Sequence, residues 1–414
     1  MRVTFLTAYF APEITPVTHL YENLAEDLAR AGSEVTVIAN KASRGLDEST
    51  RRAFLLRTDE RVRGVRILRV GAGAREGTGL AVRALHFFVN TLAIYRAARR
   101  QDTDIYLINS MPPYLGVVGG LLAKRAPSVY ILQDIFPDSV LAMGKLRAGG
   151  IAARLFARME RFTYRRNTHF VTVSEDMRRT LVKKGLPAGR ISVIPNWVDA
   201  AQSVPVDRAD NPVFDRLGLD RSAFIACYAG TLGILQDPGT LLACAALLKT
   251  EQPEIRLVLF GGGTLLDEVK ARITREDLHN VRLFPLLPVS EAKLAYSVGD
   301  VNLITLKAGV TDIAMPSKTW SALSAARPVV CTAGAGSAWA DTLDRTGAAV
   351  RVPPGDARQM ADAIRSLYQK RDALPAMGAR GRAYVMAHLT REASTQAYFS
   401  TLTEVLQRGR SDHV

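Results

Sequence analysis

The chain has 414 residues, 48% hydrophobic and 23% charged, with a formal net charge of +14. This composition excludes fibrous and disordered classes, and the length suits two medium domains, each with its own core. The three cysteines, Cys227, Cys244 and Cys331, lie in apolar stretches without paired spacing, which argues against a disulfide framework or a zinc site and fits a reducing cytosol.

Arg2 is followed at once by Val3-Thr4-Phe5-Leu6, which predicts a first strand and no secretory leader. The longest apolar runs, such as Tyr114 to Ala123, fall short of the roughly 20 residues that a membrane-spanning helix needs. The expectation is a cytoplasmic protein, soluble or peripheral on the inner face of a membrane.

Short apolar strands are predicted at Val3–Leu6, Glu34–Ile38, Val65–Val70, Ile105–Asn109, Ser128–Gln133, His169–Val173 and Ser192–Ile194. Helical patterns alternate with them. Leu20, Leu24 and Leu28 recur at helical spacing and Gly32 stands where a C-cap belongs. A second series starts at Phe224–Tyr228 and continues through Arg256–Phe260, Val281–Leu283, Val301–Ile304, Pro328–Thr332 and Ala348–Val352. Strands alternating with helices predict parallel α/β architecture. The stretch from Pro195 to Pro212 reads as the linker, so two doubly wound domains, 1–198 and 199–391, are expected to face a central cleft, with a helix at about 392–410 returning to the first.

The charge excess favours an acidic partner, and nucleic acid, an anionic membrane surface and phosphorylated metabolites all satisfy that. Much of it lies in residues 145 to 166, where Lys145, Arg147, Arg154, Arg158, Arg161, Arg165 and Arg166 are opposed only by Glu160. Ile151, Leu155, Met159 and Phe162 recur among them at helical spacing, which predicts a basic amphipathic helix. Packed on a sheet, such a helix is structural. At an anionic bilayer each basic residue contributes about 1 kcal/mol, and salt removes it.

Familiar nucleotide motifs are missing. A dinucleotide fold needs Gly-x-Gly-x-x-Gly after the first strand, where Ala8-Tyr9-Phe10-Ala11-Pro12-Glu13 stands, and there is no Gly-x4-Gly-Lys-Ser/Thr. Two glycine-bearing turns follow strands of the second series, Tyr228-Ala229-Gly230-Thr231-Leu232-Gly233 and Gly261-Gly262-Gly263. Each allows a close backbone approach to a ligand or an ordinary tight turn. The strand at Val301–Ile304 leads into Met315-Pro316-Ser317-Lys318, which sets one lysine beside backbone N–H groups at the start of a helix, a suitable place for a phosphate.

In their order and spacing these segments resemble the family 4 retaining glycosyltransferases of GT-B fold over nearly the whole chain. The resemblance rests on Phe10-Ala11-Pro12-Glu13, Val173-Ser174-Glu175-Asp176-Met177, Ile191 through Asp199, the turn at Gly230, Val298-Gly299-Asp300-Val301 and Val352-Pro353-Pro354-Gly355-Asp356. Gln133-Asp134-Ile135-Phe136-Pro137-Asp138-Ser139 and Met315-Pro316-Ser317-Lys318 are similar to the sugar transferases of bacterial surface-polysaccharide assembly, of the fucosamine-transferase type. The implied donor is a nucleotide-diphosphate sugar, with UDP favoured, and no further cofactor. The implied partner is a hydroxyl acceptor, lipid-linked or small, and not nucleic acid.

The chain departs from the family pattern at several positions. The Glu-x7-Glu pair, whose second carboxylate lies on the donor ribose in many members, is replaced by Ile313 and Ser321, and the Arg and Lys that often follow the Gly-rich turn by Thr231 and Gln236. The Gly-Gly loop of the first domain has become Ile14-Thr15-Pro16-Val17, and a common histidine is Asn109. These losses put the weight of leaving-group stabilisation on Lys318 and on the N–H groups from Ile313 to Ser317, with Lys307 as a second cation. The donor set implied is Gly230, Thr231, Gly233, Gly261, Gly262, Leu287, Lys307, Ala314, Met315, Pro316, Ser317 and Ser321 around the catalytic Lys318.

Acceptor groups are expected from the first domain, with Glu13, Thr15, His19, Asp134 and Asp138 at loop ends. His19 also suits packing or capping, and Asp138 also suits a cap of the following helix. Phe87, Phe88 and Tyr95 have core spacing and are also placed to flank a lipid. Asp102-Thr103-Asp104 matches a metal-binding string by letter only, since it precedes a strand at the sheet end away from the expected cleft, so no metal requirement is expected. Transfer to a soluble small molecule and a non-catalytic sugar-nucleotide-binding module of the same fold are the competing readings.

Overall fold

A computed structural model describes residues 1–13, 15, 17–41, 46, 48–72, 80–200 and 203–411. The chain divides into two compact units: Met1–Val173, Met177–Pro195 and Glu392–Val414 form one, and Ser174–Asp176 with Asn196–Arg391 the other. The border falls at Pro195/Asn196 because Val198 already pairs with Thr390 in a parallel bridge and donates its N–H to Leu389 O at 2.9 Å. The helix Arg391–Ser411 belongs to the first unit over nearly its whole length, burying Tyr398, Leu402 and Val405 and bonding Ser394 Oγ to Pro195 O.

The first unit is built on an eight-stranded sheet. Its strands are β1 (Arg2–Leu6), β2 (Glu34–Asn40), β3 (Asp59–Val62), β4 (Val65–Val70), β5 (Ile105–Asn109), β6 (Ser128–Leu132), β7 (His169–Thr172) and β8 (Ile191–Val193). The order is β3-β4-β2-β1-β5-β6-β7-β8, parallel throughout except that β3 runs antiparallel to β4. β3 is the strand that the sequence pattern misses: its Asp-Glu-Arg-Val carries no apolar period. It exists through a two-residue turn in which Arg63 (φ 48) and Gly64 (φ 83) both take positive φ. The central strands β1, β5 and β6 are apolar on both faces, as a sheet covered by helices on each side requires.

The basic helix forms at Ile151–Arg166, but only the second half of its apolar stripe, Met159 and Phe162, is partly buried. Ile151 is 88% and Leu155 57% exposed, whereas Ala153, Thr163 and Tyr164 are buried. The inward face of its second half packs on the helix Tyr114–Leu122, where Gly116 and Gly120 leave room for Thr163, Phe162 and Arg166 to sit directly on the backbone.

The second unit holds a fully parallel six-stranded sheet of β9 (Phe224–Thr231), β10 (Ile255–Gly262), β11 (Val281–Phe284), β12 (Val301–Ile304), β13 (Val329–Thr332) and β14 (Ala349–Val352), ordered β11-β10-β9-β12-β13-β14. Chain order reverses between β9 and β12, so the loops leaving these two neighbours diverge at their carboxyl ends, where open α/β sheets receive ligands. Successive residues of β9 split between two cores: Phe224, Ala226 and Tyr228 face one, and Ile225, Cys227 and Ala229 the other.

The segment Ser174–Asp176 belongs to the second unit through the helix Ala338–Thr346. Asp176 accepts from Ala338 N at 2.7 Å and Trp339 N at 2.9 Å, and Ser337 Oγ accepts from Ala340 N at 3.0 Å, so three of the four orphan donors of that helix are satisfied. Charge-assisted bonds of this kind contribute about 1.5–3 kcal/mol each. Asp176→Ala should therefore destabilise the second unit by about 2–4 kcal/mol in urea unfolding, and Asp176→Asn by less; an unchanged midpoint would remove the cap from the account of this border.

Candidate active site

The donor-side residues gather on one edge of the second sheet because each follows the carboxyl end of a parallel strand. Gly230, Thr231 and Gly233 close β9 or follow it, Gly261 and Gly262 close β10, Leu287 follows β11, and Lys307 and the segment 314–321 follow β12. Backbone bonds stitch these loops together: Leu232 N donates to Gly262 O at 2.8 Å and Lys307 N to Leu235 O at 3.0 Å, while Thr305 Oγ1 donates to Gln236 O at 2.6 Å. Gly233 is buried, Thr231 and Lys307 are exposed, and Leu287 leans on the core of Phe214, Ile225 and Ala229.

Lys318 opens the short helix Lys318–Ser324 and turns its side chain back onto β9. Its Nζ donates to Tyr228 Oη at 2.8 Å and stands 4.2 Å from the centre of the Tyr228 ring. The room for it comes from Gly230, in an extended positive-φ conformation (φ 152), where a Cβ would come within 2.9 Å of Nζ. The space opened by this glycine is thus occupied by the lysine. Among the described residues no carboxylate pairs with Lys318, and burial alone pushes its ammonium down to about 7.

The amide cradle is smaller than the sequence pattern predicts. Ile313 N and Ala314 N both donate to Val310 O, Ser317 N donates to Met315 O at 2.9 Å, and Pro316 has no N–H. Three of the amides expected to face a phosphate are therefore spent on turning the loop, because a five-residue link between a 3₁₀ turn and a helix satisfies its own donors first. Pro316 is buried, Ser317 exposed, and Ala314 and Met315 half-buried against the core around Trp320. Ile313, at the first of the two missing carboxylate positions, is a core residue, and Ser321, at the second, acts on the Tyr296 phenol.

In the first unit, Glu13 and Asp134 follow the carboxyl ends of parallel strands β1 and β6. Glu13 is buried, Thr15 shares a 2.6 Å hydroxyl contact with Thr18, and His19 is exposed in the first turn of Thr18–Arg30. Ile14 and Pro16 lie outside the described residues. Asp134 lines a small hollow with Tyr130, Phe136, Glu160 and Tyr164, and its carboxyl is pushed up to about 6 by burial. Asp138 is not a cap: it is the first helical residue of Asp138–Ala142 and is paired to Lys184, which also binds Glu160 at 2.6 Å. Asn109, in the common histidine position, accepts from Tyr21 Oη at 2.9 Å and donates to Thr7 Oγ1 at 3.2 Å, a structural knot. Asp102 and Asp104 are both tied to Arg2 at the opposite edge of the sheet.

The outer surface of the first unit carries two features suited to a large partner. Arg158, Arg161, Arg165 and Arg166 line a groove of about 390 Å³ with Phe162 and form no ion pair among the described residues. Phe87 and Phe88 are 44% and 67% exposed, with Phe87 edge-on to Tyr114, while Tyr95 interacts with Arg99. No described helix is long and apolar enough to cross a membrane.

Tyr228 escapes a sequence reading because an aromatic residue in an apolar strand looks like core, which its ring indeed is. The spacing that could have exposed it is Tyr-x-Gly at the end of a strand, which puts a phenol and a gap on one face.

Residues 17–197 match the glycosyl transferase 4-like domain, and residues 224–370 match glycosyl transferases group 1. The chain is 26% identical over 375 residues to the Escherichia coli K12 protein named as the colanic acid biosynthesis glycosyl transferase WcaI, covering 88% of this chain and 91% of that one. It is 27% identical over 269 residues to the Pseudomonas aeruginosa protein named as glycosyltransferase WbjE, covering 64% and 66%. Among solved structures, sucrose-phosphate synthase from Thermosynechococcus elongatus superposes with a TM-score of 0.78 at 17% identity over 98% of this chain and 99% of its own. Anabaena HepE in complex with UDP and glucose superposes at 0.72 and 15% identity over 98% and 100%. Two parallel-sheet units, both domain matches and these likenesses agree: the chain is a glycosyltransferase of family 4 with the GT-B fold.

Proposed function

We propose that the protein transfers a sugar with retention from a UDP-sugar to a hydroxyl acceptor, a lipid-linked glycan of cell-surface polysaccharide. The observation that carries this reading is the Lys318 ammonium, held at the switch point of the second sheet without a carboxylate partner. As the glycosidic bond breaks, negative charge grows on the diphosphate, and a desolvated cation placed in advance stabilises it more strongly than a solvated one. Attack comes from the acceptor hydroxyl on the face from which the diphosphate departs, and the phosphate takes up its proton. Lys307 adds a second, exposed cation on the same connection. HepE has been solved with UDP-glucose, which supports the donor class, and the WcaI name supports polysaccharide assembly.

The acceptor reading draws on Asp134, whose carboxylate is suited to orient a hydroxyl, and on the arginine groove, whose unpaired cations suit anionic lipid beside exposed Ile151 and Leu155. The fucosamine-transferase type is the favoured branch on the motif around Asp134 to Ser139.

Lys318→Met should lower kcat about 10²–10³-fold with UDP-sugar. The same variant should melt higher near neutral pH: Lys318 titrates near 7 in the fold and near 10.4 unfolded, so the native state resists its protonation and stability rises with pH between those values. Full turnover in Lys318→Met would remove the leaving-group role.

For wild type, kcat/KM should be bell-shaped, falling below about 6 as Asp134 protonates and above about 7 as Lys318 loses its proton. Asp134→Asn should flatten the acid limb alone, and an acid limb retained in that variant would exclude Asp134.

The lipid reading predicts co-sedimentation with vesicles of anionic lipid at low salt, weakened at high salt. Arg158, Arg161 and Arg165 changed together to Glu should abolish it; a wild type that stays in the supernatant at low salt would confine the acceptor to soluble molecules.

A further inference from the structure

We propose that Tyr228 is the positioning residue of the donor site, holding the Lys318 ammonium in place through its hydroxyl where a carboxylate would otherwise be needed. This rests on the leaving-group role of Lys318 and adds to it the device that keeps the lysine ready.

Three contacts carry the inference. Tyr228 Oη accepts from Lys318 Nζ at 2.8 Å and donates its own proton to Thr231 O at 2.6 Å. The orientation of the phenol is therefore settled, since a hydroxyl whose proton is committed to a carbonyl presents a lone pair to the ammonium. The ring contributes its negative face, with Nζ 4.2 Å from its centre. The strand geometry explains why the arrangement exists: Tyr228 and Gly230 stand two residues apart on β9 and so share one face, and the missing side chain of Gly230 leaves the slot in which Nζ, Cε and Cδ of Lys318 lie, with a hypothetical Cβ 2.9, 3.2 and 3.6 Å away. Tyr228 itself is fully buried and packed among Leu232, Leu241 and Leu259, so its hydroxyl is a fixed point.

A neutral acceptor differs from a carboxylate in one respect that matters for the reaction. An ion pair would cancel the charge on Lys318 and compete with the incoming diphosphate, whereas a phenol fixes the position of the ammonium and leaves its charge uncompensated. The other charged and titratable groups around this helix do not replace it. Tyr296, from Ala292–Tyr296, acts electrostatically on the Tyr228 phenol, and Arg382, from Leu374–His388, is engaged with Ser203 O and Ser324 O. Among the described residues, no carboxylate, imidazole or second cation acts on Lys318.

The test is Tyr228→Phe, which keeps the ring and deletes the acceptor. The titration of Lys318 is followed by NMR of isotopically labelled lysine, with Lys318→Met assigning the signal, and the pH profile of kcat/KM is measured beside it. Loss of the hydroxyl should move the Lys318 titration to lower pH by about one unit. The basic limb of kcat/KM should move with it, so that the variant is about tenfold slower at pH 8 and within about twofold of wild type at pH 6. An unmoved Lys318 titration in a folded variant, or a loss of rate equal at every pH, overturns the proposal. If Tyr228→Phe does not fold, Gly230→Ala gives the second measurement: the added methyl would displace Nζ from the phenol and should shift the same titration with Tyr228 intact, and an unshifted titration there is again decisive against it. Should the titration move in Tyr228→Phe while Lys318→Met keeps full turnover, positioning stands and the leaving-group role falls.

Discussion

A cation partly withdrawn from water with no anion beside it is costly, and the loop that ends on Lys318 is arranged around that cost. The Lys318 ammonium has a phenol oxygen, an aromatic face and a glycine gap, and nothing of opposite charge among the described residues. Folding alone favours its neutral form. In the function proposed above a diphosphate would supply the missing charge, and the loop would be best stabilised with a polyanion in it. The same logic accounts for the phenol in place of an acid, since a carboxylate would stabilise the empty protein and weaken the loaded one.

The rest of the second unit serves to keep that lysine where it is. Parallel strands buried on both faces can display polar groups only at their ends, and the reversal of strand order between β9 and β12 makes the two neighbouring loops diverge there. Tyr228 and Gly230 come from one of these strands and Lys318 from the loop after the other, so the contact is an outcome of topology as much as of sequence. The connections between Leu232 and Gly262 and between Lys307 and Leu235 fasten the remaining loops to the same edge.

Much of this was readable from the residues. The strands follow the short apolar runs, Gly32 ends its helix with φ 86 as a C-cap glycine should, and the connection from an apolar strand to a helix that carries Lys307 and ends on Lys318 stands out as a cationic loop. What escaped was decided by partners distant in sequence or by backbone geometry. β3 depends on a turn and has no hydrophobic period, Asp138 is claimed by Lys184 from 46 residues away, and the close seat of Phe162 and Thr163 depends on glycines of another helix. The amides of Ile313, Ala314 and Ser317 could not be assigned from letters, because whether a loop closes on itself is a matter of its dihedrals. Tyr228 was hidden by doing two jobs, one of them ordinary packing.

The departures from the family pattern become coherent when charge is counted. Many members of the family this chain resembles bring two glutamates to this loop, and often an arginine and a lysine after the Gly-rich turn. Here Ile313, Ser321, Thr231 and Gln236 stand in those four places, so two anions and two cations have gone together and Lys318 remains. Removing charges in opposite pairs leaves the net charge of the loops unchanged while sparing the desolvation of four ions. In the proposed reaction Lys318 would carry more of the work, with only the exposed Lys307 beside it on the same connection. A neutral hydroxyl is then the partner that such a reduced site can tolerate, and Tyr228 provides it.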